Sequence, residues 1–207
     1  MRKSLLTLPL LSLFAWAQYK YEAAGAPPEE LAPAIREALQ KTGHRIIAPN
    51  GSVFAELWFR AQAPSGPATT EEGVSLTTIP HGSLVGVIRF PGRGADRRGQ
   101  TIKAGVYTLR LAYYPVDGAH QGIAPQRDFL KIIPAAEDKD LNATPSYDEL
   151  VAMSTKASGT SHPAILGVWK LDKPEPAGLR QHEGDWILHA TIGDIPIAVI
   201  VVGVFQG

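Results

Sequence analysis

Val106-Tyr107-Thr108-Leu109-Arg110-Leu111-Ala112-Tyr113-Tyr114 is the stretch on which the fold turns. Tyr107, Leu109, Leu111 and Tyr113 alternate with Thr108, Arg110 and Ala112. That period of two puts one apolar set on a single face of a β-strand. Similar signals lie on both sides. Residues 45–48 and 52–60 flank the turn Pro49-Asn50-Gly51 as a hairpin, whose second arm points Val53, Ala55, Leu57 and Phe59 inward. Phe54, Glu56, Trp58 and Arg60 point the other way, and residues 63–72 read as a Pro/Thr/Gly loop. Residues 84–90 form a further strand with Leu84, Ile88 and Phe90 on one face. Towards the C-terminus, residues 128–133, 165–171, 186–192 and 195–204 complete the set. The last run is rich in β-branched residues and too short to span a bilayer as a helix, which makes it a central buried strand.

Two helices are expected beside these strands. Pro27-Pro28-Glu29-Glu30 suits a helix start, with Leu31, Ala34, Ile35, Ala38 and Leu39 on one face and Gly43 as a left-handed stop. Ser146-Tyr147-Asp148-Glu149 has the form of a capping box opening a second helix through about Lys156. Many short strands and few helices predict an all-β fold, an antiparallel β-sandwich with one or two short peripheral helices.

The N-terminus reads differently from the rest. Arg2 and Lys3 precede an apolar run over residues 5–14, and Ala15-Trp16-Ala17 fits a small-x-small cleavage site. Residues 1–17 therefore read as a signal peptide and residues 18–207 as a single exported domain, periplasmic or extracellular, with no transmembrane span in the mature chain. That mature chain carries 18 basic and 20 acidic residues, a net charge of −2. Such a near-neutral surface gives no footprint for nucleic acid. The absence of cysteine removes disulfides and thiolate metal sites from consideration.

Gly99-Gln-Thr-Ile-Lys-Ala-Gly-Val-Tyr-Thr-Leu109 resembles a run found in uncharacterised exported bacterial β-sandwich proteins, in which Gly-x-x-[Leu/Ile]-x-[Pro/Ala]-Gly-x-Tyr-x-Leu leads into a central strand. The resemblance implies an exported sandwich and brings no activity with it. The Gly-x-x-Trp-Arg segment of that family is absent, and Leu57-Trp58-Phe59-Arg60 is a loose echo of it.

The densest polar constellation is Asp117-Gly118-Ala119-His120 followed by Gln126-Arg127-Asp128, with His162 in a second loop. Loops at the end of a rigid scaffold carry function, so Asp117, His120, Arg127, Asp128 and His162 are the expected ligand-binding residues. Asp117, His120, Asp128 and His162 also include metal-ligating types, though without a diagnostic spacing. The basic segment from Gly92 to Gly99 lacks a phosphate-loop ending and precedes a strand. It reads as a solvated hairpin tip, with anion or partner binding as the alternative. Trp58, Trp169 and Trp186 could stack on sugars or fill the core. No Gly-x-Ser-x-Gly elbow occurs. The expected function is a non-catalytic binding or interaction module of the cell envelope for a small molecule, glycan or protein. The alternative is a metal-dependent hydrolase-like enzyme using the Asp117, His120, Asp128 and His162 loops.

Overall fold

The computed structural model describes residues 18–116 and 125–204. Its strands are β1 (Lys20–Ala24), β2 (Gly43–Ile47), β3 (Val53–Phe59), β4 (Leu84–Phe90), β5 (Gly94–Ala95), β6 (Thr101–Ile102), β7 (Gly105–Tyr113), β8 (Asp128–Pro134), β9 (Ile165–Lys170), β10 (Gly178–His182), β11 (Asp185–Ile192) and β12 (Ile195–Val202). Helices α1 (Pro33–Ala38) and α2 (Tyr147–Ser158) lie between β1 and β2 and between β8 and β9. The all-β class holds.

Ten strands run in one antiparallel order, β1-β2-β3-β4-β7-β8-β9-β12-β11-β10, and β5 pairs with β6 in a separate small hairpin. The outermost strands β1 and β10 approach each other, so the sheet is nearly barrel-shaped. We call the end where β3 and β7 finish the upper end, and the end where they begin the lower end.

Alternation decides which side chains fill the interior. Leu57, Leu109, Leu111, Leu130, Val168, Leu188, Ile197 and Val199, drawn from six strands, belong to one fully buried cluster. Each such leucine contributes roughly 1.5–3 kcal/mol by leaving water. At the upper end the long connection between β3 and β4 folds inward, and Leu76 and Ile79 join the same core. The terminal strand is buried on both faces as its composition demands, since Ala198 and Ile200 pack outward with Ile187, Trp169 and Leu171.

The helices cover the outer face. In α2 the Ser146 side chain accepts from the Glu149 amide while Glu149 reaches back to Ser146, and Gly159 closes the helix in the left-handed conformation. Leu150 then packs on Ala112 and Ile133. The first helix is much shorter than its apolar spacing predicts. Proline excludes the preceding residue from helical ψ, and Ala32, before Pro33, is extended at ψ 136°. The helix therefore starts at Pro33 rather than after Pro27-Pro28. Gly43 does not cap it either. It opens β2, where an added Cβ would meet the Trp58 indole and the Leu57 carbonyl, so glycine serves close approach there.

Candidate functional site

Arg127 and Asp128 stand at the upper end, at the start of β8. Asp128 is fully buried and accepts from the Ser75 amide (2.9 Å), the Ser75 hydroxyl (3.1 Å) and the Leu76 amide (3.0 Å). Burial pushes its pKa upward, and those donors pull the other way. Arg127 donates to the carbonyls of Tyr114 and Glu72 and pairs with Glu71 at 2.9 Å, while its guanidinium lies over the Tyr114 ring. Both residues thus fasten the β3–β4 connection over the barrel end.

His162 does not share that end. The Ile132 amide donates to Ala164, and Lys131 faces Ile165 across β8 and β9. His162 therefore lies beyond the lower end of β9, roughly 15–20 Å along the sheet from Asp128 at about 3.3 Å per residue. Its carbonyl accepts from the Ser158 hydroxyl. Asp117 and His120 lie outside the described residues. Among the described residues no three His, Asp or Glu side chains are placed to hold a metal ion. The three tryptophans are dispersed: Trp58 is buried and donates to Gly25, Trp169 packs with Leu171 outside, and Trp186 meets Tyr19.

No protein-family model, curated protein or solved structure matches this chain.

The geometry points instead to two arginines on the outer face. Arg110, on β7, is fully buried and uses all five N–H groups. Its Nε and Nη2 grip Asp138 at 2.7 Å each, Nη1 donates to the carbonyls of Gly82 and Ala143, and Nη2 also donates to that of Asp140. Thr108 gives Asp138 a further hydrogen bond at 2.6 Å. This node holds residues 138–143 against the barrel beside Gly82.

The segment so held forms one wall of a cavity of about 340 Å³, lined also by Arg60, Gln62, Ser65, Ser83, Asn142 and Thr144. Arg60 follows β3 directly, and its backbone is fixed by bonds to Val85 and Gly193. Its buried Nε–H has no acceptor, and among the described residues its guanidinium has no ion-pair partner. Desolvation alone lowers its pKa from the ordinary arginine value, with no carboxylate to oppose it. No acidic residue is among those lining this cavity. Beside it stand the amides of Gln62 and Asn142 and the hydroxyls of Ser65, Ser83 and Thr144, in a lining that also includes Ala63, Pro64, Pro80, Leu141 and Ala143. A cation with an unanswered buried donor in those surroundings is chemically suited to a carboxylate, phosphate or sulfate group.

Alternation alone placed Arg60 on the outward face of its strand and gave it no role. One signal was available: no acidic residue occurs between Glu56 and Glu71, so nothing local could neutralise Arg60. The neighbouring cations contrast with it. Arg45 and Arg89 face Glu56 across β2, β3 and β4 and both bind its carboxylate.

Proposed function

We propose that this chain is an exported, non-catalytic binding module that takes a small ligand through an oxyanion group held by Arg60. The observation that carries this reading is that Arg60, which lines a cavity free of acidic residues, has a buried Nε–H without an acceptor among the described residues. A buried unsatisfied donor costs about 1–3 kcal/mol, and an oxyanion removes that cost on binding. The cavity lies within the usual small-molecule range of about 300–1,000 Å³. One of its walls is held by the Arg110 node, which preorganises that side of the site.

Nothing supports a hydrolase reading to the same degree, because Arg127 and Asp128 are engaged with backbone groups and His162 stands at the far end. Export rests on the basic–apolar–small order of residues 1–17, which lie outside the described residues. A mature protein starting at Gln18, read by intact mass, is the expected product.

Titration calorimetry with acetate, succinate, phosphate and sulfate tests the binding reading. At least one should bind saturably to the mature protein and fail to bind Arg60→Gln, with Arg60→Lys retaining part of the affinity. Equal binding by wild type and Arg60→Gln, or no binding of any of the four, would overturn it.

A further inference from the structure

We propose that the lower end carries a second, separate binding site, a basic cleft for a small ligand with two or more oxyanion groups, of which pyrophosphate is the simplest. The cleft has a volume of about 580 Å³ and lies between the β6–β7 turn and the last turn of α2. Arg93, Lys103 and Lys156 line it, with the hydroxyls of Thr101 and Ser158. The buried residues Tyr107 and Ala157 provide its floor.

The charge count favours a multivalent anion. Lys156 pairs with Glu137 at 2.7 Å, whereas Arg93 and Lys103 have no ion-pair partner among the described residues. Three cations around one concavity repel one another, and concave protein walls focus their field outward into the cleft. A single carboxylate answers one of them. A ligand with two anionic groups answers the other two.

The cleft is also held in shape. Gln100 donates to Asp96 at 2.8 Å and to the Pro163 carbonyl, and accepts from Thr160. Those bonds tie the β5–β6 hairpin to the segment after α2. The Tyr107 hydroxyl donates to the Lys103 carbonyl at 2.9 Å and fixes the other wall. The negative end of α2 would oppose an anion, but the Gly159 amide donates to the Thr155 carbonyl and Lys156 places a cation in that last turn. The hairpin that the sequence marks as a solvated or anion-binding tip thus forms one side of a cleft with a built floor.

Calorimetry of the mature protein with sodium pyrophosphate, against phosphate at matched ionic strength, tests this site. In the Arg60→Gln background, where the upper cavity does not contribute, pyrophosphate should bind more tightly than phosphate, and its affinity should fall as sodium chloride rises. Lys103→Glu and Arg93→Glu should each weaken pyrophosphate on the order of tenfold, while Arg60→Gln changes it by less than about twofold. Both reversed residues are exposed, so thermal melts should show the variants folded; Lys103→Gln, which adds no new charge, should give a smaller loss in the same direction. Pyrophosphate binding no better than phosphate, or binding abolished by Arg60→Gln and untouched by Lys103→Glu, would overturn the second site. In the latter case the Arg60 cavity would stand alone.

Discussion

Arg110 and Arg60 both point outward from the sheet at its upper half, yet their surroundings are opposite. Arg110 is the more deeply buried and has every donor answered, by one bidentate carboxylate and three carbonyls. Arg60 lines a cavity built partly from the same segment, and its buried Nε–H has no acceptor among the described residues. A buried guanidinium with a full set of acceptors is architecture. One whose surroundings omit the acceptors points to a partner from outside the chain.

The largest expected effect breaks the first half of that contrast. Asp138→Ala leaves Arg110 buried without its carboxylate and should cost about 3–5 kcal/mol, read as a fall in the denaturant midpoint. Replacing both partners, Arg110→Met with Asp138→Leu, leaves no charge unpaired but strips the Gly82, Asp140 and Ala143 carbonyls of their donor, so it should remain destabilising. A small loss for Asp138→Ala alone would mean that the node does not hold residues 138–143 in place.

A second test concerns another buried ring nitrogen without a partner among the described residues, His44 Nε2. Desolvation lowers the His44 pKa to about 4 from an ordinary value of 6.5. The unfolded chain therefore takes up a proton before the folded one as the pH falls. Stability from this source is intact above about pH 6.5, declines as the pH drops towards 4 and is constant below that, with a total of at most about 3 kcal/mol. Comparing urea midpoints at pH 7 and pH 4.5 should show a steeper loss in wild type than in His44→Leu. Parallel losses would contradict the assignment.

Asp128→Asn should give the next effect. An amide has one acceptor oxygen where the carboxylate offered two, and its N–H₂ would face either the Ser75 donors or the Leu76 amide, at a cost of about 1–3 kcal/mol. Faster hydrogen exchange at those two amides checks the role of Asp128 in fastening the β3–β4 connection. Unchanged exchange there would argue against it.

The sequence made the strands legible where burial imposes a period. The inward set of β7, the β-branched run of β12 and the Ser146 capping box all appear as the residues predict. It hid β1 and β10, whose residues are mostly exposed and so lack a clear alternation. These are the strands that bring the two edges of the sheet together, so the near-barrel shape was hidden with them. The polar residues were harder for a different reason. Arg127 and Asp128 have the composition of a site, but the use of a carboxylate depends on which amides the fold brings to it. Ser75 and Leu76 lie more than fifty positions away in the chain. Arg60 shows the converse, because an absent partner becomes visible only once the neighbours are in place.

Arg60→Gln should leave stability unchanged or slightly raised, because it removes the unanswered buried Nε–H and breaks no ion pair among the described residues. Its wild-type side chain offers the most direct measurement. The Nε–Hε resonances of Arg60 and Arg110 can be followed by nitrogen-15 NMR while acetate, succinate, phosphate and sulfate are added in turn. The Arg60 signal should move saturably with at least one of them while the Arg110 signal stays fixed. An Arg60 signal that moves with none of the four, or that moves only in step with Arg110, would contradict the account.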